Sequence, residues 1–152
     1  MDKKYKLTEE TINVNSRTLY RIEALKDFGN VRKGEKGGFI EKESNLSQNG
    51  NCWVYGDAKV YDDAIVYGDA KVYGDAVVYG NAEVYGNAEI FDNAEVYGNA
   101  MIYGNAEVYE YAKVCGNAEV YGYTRIYDNA TVYGNAEIYG DREVHGDEKV
   151  GE

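Results

Sequence analysis

The sequence of 152 residues has no proline, two cysteines and a single histidine. Two cysteines cannot form the disulfide framework of a small secreted protein, and one histidine excludes a zinc site built from a Cys/His cluster. Apolar runs stay far short of the ~20 residues that cross a bilayer. The opening Met1-Asp-Lys-Lys does not begin a signal peptide. We therefore expect a cytoplasmic protein that contacts no membrane.

A helical hydrophobic period is also missing, and a period of six residues stands in its place. Val or Ile occupies every sixth position from Val54 to Val150, with no insertion or deletion. The unit reads V-Y-G-N/D-A-x, so most units have Tyr second, Gly third and Ala fifth. An α-helix would spread this Val stripe around its axis, and each interior Gly would cost about 1 kcal/mol.

Short strands joined by corners explain the unit. Side chains alternate along a strand, so Val and Ala point to one side while Tyr and the sixth residue point to the other. Gly-Asn and Gly-Asp tolerate positive φ and supply the corners. Three corners close a triangular coil, and stacked coils pair as parallel strands around Val, Ile and Ala. The repeat therefore predicts a β-solenoid.

The V-Y-G-N-A unit resembles the hexapeptide repeat of left-handed β-helix proteins, in which a small residue follows an aliphatic one four positions later. The resemblance covers about three quarters of the chain. It implies an all-β fold, a single-stranded left-handed parallel β-helix with three hexads per coil and about six coils. The repeat, together with RTLYRIEAL, GGFIEKESNLS and GNCWVYGDA, is similar to uncharacterised hexapeptide-repeat proteins of bacteria and their phages, often labelled transferases.

The chain divides into an N-terminal β cap, residues 1–35, and a hexapeptide-repeat β-helix, residues 36–152. In the cap, INV and RTLYRI flank Asn15-Ser16 and predict a small β-hairpin. Its expected role is to cover the open first coil, whose unpaired backbone edge would otherwise invite aggregation.

Both ends of the helix depart from the regular unit. Ile40, Leu46 and Cys52 are assigned to the fifth, inward position of three degenerate hexads. Near the other end, Arg142 and Glu148 replace the inward Ala. Charges inside a closed coil are costly, so we expect the last turn to fray, to cap the stack or to be buried against a partner.

Three sides per coil place the second-position residues in three outward ladders. Side 1 stacks Tyr55, Tyr73, Phe91, Tyr109, Tyr127 and His145; side 2 stacks Tyr61, Tyr79, Tyr97, Cys115 and Tyr133; side 3 stacks Tyr67, Tyr85, Tyr103, Tyr121 and Tyr139. The rings either shield the backbone or form an interface, because Tyr is enriched where proteins bind. Both uses stay open for different sides.

Side 1 holds the main irregularity, around coils four to six. The candidate binding patch there consists of Phe91, Asp92, Tyr109, Glu110, Tyr111, Tyr123, Arg125, Tyr127 and Asp128. Asp92, Glu110 and Asp128 replace corner Gly on successive coils, about 5 Å apart. They form either a solvated acidic corner or a site for a hard cation such as Ca²⁺. The solvated corner is favoured, and neither a metal nor a cofactor is expected.

The resemblance implies one enzymatic alternative. Many left-handed β-helix proteins are acyltransferases that use a His as general base and bind their substrates between the subunits of a trimer. His145 is then the candidate catalytic residue, as the single histidine. This chain departs from that pattern because no loop interrupts its hexads and because His145 takes a Tyr position near the terminus. A non-catalytic protein is therefore favoured.

The formal net charge of −11 conceals two regions of opposite sign. Residues 1–40 carry 9 basic and 6 acidic side chains, whereas residues 41–152 carry 7 basic and 21 acidic ones. An acidic rod does not bind nucleic acid itself, but it could occupy the nucleic-acid-binding groove of another protein. The simpler interpretation is that the charge keeps a repetitive solenoid soluble.

These features together predict a non-catalytic acidic β-solenoid that acts in binding or assembly. The most specific form of this hypothesis is a phage-type inhibitor that occupies the nucleic-acid-binding surface of a host defence protein. Its partner would be a basic nucleic-acid-binding protein, and it would form a homo-oligomer, a trimer or dimer, through one Tyr-lined side. An acyltransferase acting as a trimer and a structural, polymer-forming protein are the alternatives.

Overall fold

The computed structural model describes residues 2–151, which form twenty strands and one 3₁₀ helix. The elements are β1 Tyr5–Val14, β2 Arg17–Ala24, β3 Lys36–Ile40, the 3₁₀ helix Glu43–Asn45, β4 Trp53–Val54, β5 Lys59–Val60, β6 Ile65–Val66, β7 Lys71–Val72, β8 Val77–Val78, β9 Glu83–Val84, β10 Glu89–Ile90, β11 Glu95–Val96, β12 Met101–Ile102, β13 Glu107–Val108, β14 Lys113–Val114, β15 Glu119–Val120, β16 Arg125–Ile126, β17 Thr131–Val132, β18 Glu137–Ile138, β19 Glu143–Val144 and β20 Lys149–Val150. No helix in residues 2–151 is long and apolar enough to cross a membrane.

The two-residue strands stack into three parallel sheets, one for each side of a triangular coil. Side 1 is the sheet β4-β7-β10-β13-β16-β19, and side 3 is the sheet β6-β9-β12-β15-β18. Side 2 runs β3-β5-β8-β11-β14-β17-β20 and continues outward through β2 and β1. Regular partners lie 18 residues apart, as in Val60 with Val78 and Ile90 with Val108. The parallel β-solenoid with three hexads per coil is confirmed.

The interior of the coil contains the first and fifth positions of the repeat. Val60, Ala64, Val66 and their equivalents through Val132 are buried, whereas the sixth-position side chains face outward. Alternation along each strand produces this division, and the small Ala leaves room for the chain to turn. A single hydrophobic core therefore runs from the first coil to Val144.

The corners require positive φ at the third position of each unit. Gly98 has a φ of 68°, and a Cβ there would lie 2.8 Å from the Gly116 nitrogen of the next coil. Glycine avoids both the conformational cost and this close approach. Four corners carry an acidic residue with positive φ instead: Asp62, Asp92, Glu110 and Asp128.

Backbone hydrogen bonds at the strand ends and corners link each coil to the next. In the hexad after Ala58, the N–H groups of Lys59, Tyr61 and Asp63 donate to Ala76, Val78 and Gly80 in the following coil, at 3.0, 3.0 and 2.9 Å. The same pattern recurs along the stack. The first coil has no coil before it, so its backbone groups on that end need partners from the head.

The predicted register of the first coil is wrong for two of its three residues. Ile40 pairs with Val60, and Leu46 bridges to Val66, so both take the first position of the hexad rather than the fifth. Cys52 does take the fifth position, because its neighbour Trp53 pairs with Lys71 in the regular spacing of 18. Two extra residues between Leu46 and Val54 account for the shift. All three side chains are buried, as an inward position requires.

The head begins with the hairpin β1–β2, which is longer than INV and RTLYRI predict. Asn15 and Ser16 form its turn with φ of 50° and 69°, as a two-residue primed turn requires. The hairpin pairs with β3 through antiparallel contacts such as Tyr20 with Ile40, so it extends the sheet of side 2.

Side chains of the head also contact backbone carbonyl groups of the first coil. Lys4 is 1% exposed, and its Nζ donates to Cys52 O at 2.8 Å and Gly50 O at 3.2 Å. Arg21 Nη1 donates to Gly37 O at 2.7 Å. The Tyr5 hydroxyl lies 2.6 Å from Leu46 O. Basic and hydroxyl donors thus stabilise this end of the stack.

The final coil keeps its register despite the charged residues. Val144 pairs beneath Ile126 and Val150 beneath Val132. Arg142 and Glu148 are exposed rather than buried, and Glu148 Oε1 accepts a hydrogen bond from His145 N at 3.0 Å. Fraying, capping and burial against a partner were the three expectations for this turn. The hydrogen bond from His145 N to Glu148 is a capping contact, because a side chain satisfies a backbone amide of the last coil.

Candidate functional site

The aromatic ladder of side 1 places three residues of the predicted patch in one stack. Phe91 lies 4.8 Å from Tyr109, and Tyr109 lies 5.1 Å from Tyr127, between ring centroids, with nearly parallel planes. His145 continues the stack at 5.4 Å from Tyr127. Parallel strands in register produce this stacking, because equivalent positions repeat at the spacing between strands.

The acidic corners of side 1 form a hydrogen-bonded row. Asp92 Oδ2 accepts from Glu110 N at 3.2 Å, Glu110 Oε1 accepts from Asp128 N at 3.1 Å, and Asp128 Oδ2 accepts from Gly146 N at 2.9 Å. Each carboxylate therefore binds the corner amide of the next coil. Within residues 2–151 no group of three His, Cys, Asp or Glu side chains is arranged to hold a metal ion.

Asp62 makes the same contact on side 2, and sequence reasoning missed it. Its Oδ2 accepts from Gly80 N at 3.1 Å. The signal was present, since residues 61–64 read YDDA where the repeat has YGDA. Asp62 also forms an ion pair with Arg17 of the head, which links the hairpin to the second coil.

Two further patch residues lie on the corners that border side 1. Tyr111 is 62% exposed and Tyr123 is 66% exposed. Arg125 lies on the outer surface of side 1, with its Nε 3.9 Å from Glu107 Oε1. Thr124 fills an inward Ala position, and its hydroxyl donates to Tyr121 O at 2.8 Å. The patch is thus a flat aromatic ladder with an exposed tyrosine on each border.

His145 lies at the end of the side 1 ladder, and its side chain is 54% exposed. Its Nδ1 is 4.0 Å from Asp128 Oδ2, and its ring stacks on Tyr127. These contacts orient the imidazole, but they leave it on an open surface.

Tyrosine hydroxyls and glutamates link successive coils along sides 1 and 3. Tyr67 donates to Glu83 at 3.1 Å on side 3, and Tyr73 donates to Glu89 at 2.8 Å on side 1. Burial and the hydrogen bond to Glu83 raise the pKa of Tyr67 to about 12. These phenols therefore stay protonated at neutral pH and remain hydrogen-bond donors.

Charge is distributed unequally among the three sides, which the sequence analysis did not resolve. We define the acidic face as the outward residues of side 3 together with its two bordering corners. It carries seven acidic residues, and its strands have no outward Lys or Arg, while Lys42 and Arg142 lie in its corners next to Asp63 and Asp141. The acidic residues are Asp62, Asp63, Asp69, Glu83, Glu119, Glu137 and Asp141. Sorting every third hexad into one column would have revealed it. Sides 1 and 2, by contrast, each include lysine.

The head leaves a cleft beside the second coil of side 1. Its volume is about 370 Å³, and its lining includes Asn30, Tyr55, Lys71 and Glu89. Tyr55 meets Tyr73 edge-on at 6.1 Å rather than stacking on it, which widens this part of the ladder. The cleft contains groups of both charges and therefore has no strong preference for one sign.

Comparison with known proteins finds similarity within the repeats of the solenoid. A family model described as the YdcK beta solenoid repeat matches residues 94–110 and 124–140. The uncharacterized acetyltransferase YdcK of Escherichia coli (strain K12) is 49% identical over 37 residues. The matched residues carry a β-solenoid repeat similar to that of YdcK.

The two matched segments of the YdcK repeat include much of the irregular zone of side 1. Tyr109 and Glu110 lie in the first segment, and Arg125, Tyr127 and Asp128 lie in the second. The aligned residues cover 24% of this chain and only 11% of the E. coli YdcK protein. The similarity therefore concerns the repeat and its stacking.

Proposed function

We propose that this chain is a non-catalytic binding protein whose acidic solenoid recognises a basic protein partner. The observation that carries the proposal is the acidic face, which has seven carboxylates and no outward Lys or Arg on its strands. Two of them, Asp62 and Asp63, form ion pairs with Arg17 and Lys42 of this chain. The other five are available to cations from outside.

The proposed partner is a protein whose basic surface normally binds nucleic acid. A rigid rod with carboxylates at regular intervals can occupy such a groove, since the groove already presents Lys and Arg to a polyanion. Complementary charge accelerates association and makes the affinity depend on salt. Exposed tyrosines supply contact area at low cost in conformational entropy. Inhibition of a host defence protein is the most specific form of this function.

Affinity capture tests the proposal. The tagged full chain is incubated with a nuclease-treated bacterial lysate, and bound proteins are released by increasing salt and identified by mass spectrometry. We expect a basic nucleic-acid-binding protein to elute as the salt concentration rises. Recovery of proteins that stay bound at high salt, with no basic protein among them, would contradict the electrostatic mechanism.

The name of the E. coli relative supports acetyl transfer as a second candidate. Under this alternative His145 would act as general base, and an acyl donor would bind between subunits. Calorimetry with acetyl-coenzyme A, followed by transfer assays of the wild type and His145→Ala, separates the candidates. Donor binding together with activity that depends on His145 would favour the enzyme, whereas we expect neither.

A further inference from the structure

We propose that the acidic face is the docking surface for one extended, Arg- or Lys-rich segment of the partner, lying along the stack. The inference deepens the proposed function and rests on it. It moves the contact from the predicted patch on side 1 to side 3. Four properties of side 3 support this choice.

The first property is access. The hairpin covers the upper part of side 2, where Ile12 and Val14 pack against Leu19, Phe39 and Tyr61. On side 1, Phe28 of the head lies 5.2 Å from Trp53, between ring centroids, and that tryptophan is fully buried. On side 3 the equivalent first outward residue is Ile65, which is 37% exposed. Side 3 is therefore open along its strands.

The second property is charge. Glu83, Glu119 and Glu137 point outward from side 3, and the structure pairs none of them with a basic side chain of residues 2–151. Side 1 interrupts its glutamates with Lys71 and Arg125, and side 2 includes Lys59, Lys113 and Lys149. A cationic segment therefore meets like charge on the other two sides but not on side 3.

The third property is an unbroken ladder of hydroxyl groups. Tyr67, Tyr85, Tyr103, Tyr121 and Tyr139 stack with centroid distances between 4.7 and 5.6 Å. On side 2 the ladder is broken by Cys115, and on side 1 it includes Phe91. Two of the hydroxyls contact the glutamate row, since Tyr67 donates to Glu83 and Tyr103 donates to Glu119. Guanidinium groups bind carboxylate and hydroxyl oxygens in this arrangement.

The fourth property is spacing. Side 3 runs over five strands, so its length is about 19 Å at a strand spacing of ~4.8 Å, enough for roughly six extended residues. Glu83 and Glu119 are two coils apart, or about 10 Å, which is close to three residues of an extended chain. Basic side chains three positions apart would thus meet Glu83 and Glu119, and Glu137 lies one coil beyond Glu119.

A defined peptide tests the docking surface. The probe is a fluorescein-labelled nonapeptide of three Arg-Ser-Ser units, and its anisotropy is measured with the full chain at two salt concentrations. The acidic-face variant combines Glu83→Gln, Glu119→Gln and Glu137→Gln, which keep the side-chain length and, at positions 83 and 119, the acceptor for a Tyr hydroxyl. The matched control combines Asp57→Asn, Asp75→Asn and Asp147→Asn at the corner opposite side 3, where Asn is the usual residue of the repeat.

We expect the wild type to bind the peptide and the acidic-face variant to bind about tenfold more weakly, as three exposed ion pairs would give. The control should stay within about twofold of the wild type. Circular dichroism checks that all three proteins remain folded.

Equal weakening of both variants would overturn the docking surface and leave the proposed function standing, because the charge of the whole rod would then be responsible. A change of oligomeric state in the acidic-face variant alone would also overturn it, since the occupant of side 3 would be a second copy. Failure of the wild type to bind the peptide overturns the docking surface whatever the capture shows. If no basic protein is captured either, the proposed function fails with it.

Discussion

The backbone at the third position of the repeat has a positive φ, and this restricts which residues the corners accept. The Gly-Asn and Gly-Asp pairs of the sequence predicted turns with positive φ, and the structure has them at the expected positions. The role of Asp92 and Glu110 was not predictable from their neighbours in sequence. Each carboxylate contacts an amide 18 residues further on, so its partner exists only once the coils are stacked.

Gly98→Ala tests the requirement at a glycine corner. Alanine at position 98 would have to adopt a φ near 68°, and its Cβ would lie 2.8 Å from the Gly116 nitrogen. We expect the free energy of unfolding to fall by about 1–3 kcal/mol, because positive φ and steric strain both disfavour alanine. Denaturant titration of the purified protein measures the change.

Asn99→Ala provides the matched control for this substitution. Asn99 is the exposed neighbour of Gly98 in the same corner, and its side chain makes no hydrogen bond in the structure of residues 2–151. The control should change stability by less than about 0.5 kcal/mol. Similar losses in both variants would show that the corner does not depend on glycine.

At the scale of elements, the coils from Val54 onward followed from the sequence and the first coil did not. A spacing of six fits Cys52, Leu46 and Ile40 equally well in sequence, but Gln48 and Asn49 add two residues to this coil. Gln48 uses the extra length to accept hydrogen bonds from Lys4 N and Tyr5 N at 2.7 and 3.2 Å. The contact between head and solenoid is irregular, so no repeat could reveal it.

Lys4→Met tests how the head stabilises the first coil. Burial lowers the pKa of Lys4, which shows the cost of placing an ammonium group there. Its loss would nevertheless leave the carbonyls of Cys52 and Gly50 without their donor. We expect a destabilisation of about 1–3 kcal/mol, since unsatisfied buried acceptors outweigh the relief of desolvation.

Lys6→Met serves as the control, because Lys6 is an exposed lysine two residues away, in β1. Hydrogen exchange locates the effect, and amides of the first coil should lose protection while those near Val108 keep it. Unchanged stability of Lys4→Met would indicate that the hydrophobic packing of the head is sufficient without the buried lysine.

At the scale of the whole molecule, the sequence predicted an acidic rod with a basic head but not the distribution of charge among the sides. The basic residues of the head suit the carbonyl groups of the first coil, as Lys4 and Arg21 show. Assigning charge to sides requires the coil length of 18 residues and the face of each position. The structure supplies both, and they move the proposed contact from side 1 to side 3.

The tyrosine ladders predict a loss of stability at alkaline pH. Burial with hydrogen bonds to glutamate raises the pKa of Tyr67 and Tyr103 to about 12, from a value near 10 in the unfolded chain. The fold therefore favours the neutral phenol. This contribution is fully present below pH 10 and is lost as the pH rises toward 12.

Melting temperature as a function of pH measures this effect. Tyr103→Phe keeps the stacked ring but removes the hydroxyl that donates to Glu119, so we expect it to lose less stability than the wild type between pH 10 and 12. A wild-type melting temperature that stays constant across this interval would contradict the raised pKa values.

Displacement of nucleic acid tests the central claim most directly. The captured basic partner is bound to labelled duplex DNA, and the chain is added at increasing concentration while anisotropy reports the DNA that remains bound. We predict that the wild type displaces the DNA, that salt weakens the displacement, and that the variant with Glu83→Gln, Glu119→Gln and Glu137→Gln requires about tenfold more protein. A ternary complex in which the partner holds DNA and the chain at once would contradict occupation of the nucleic-acid-binding surface.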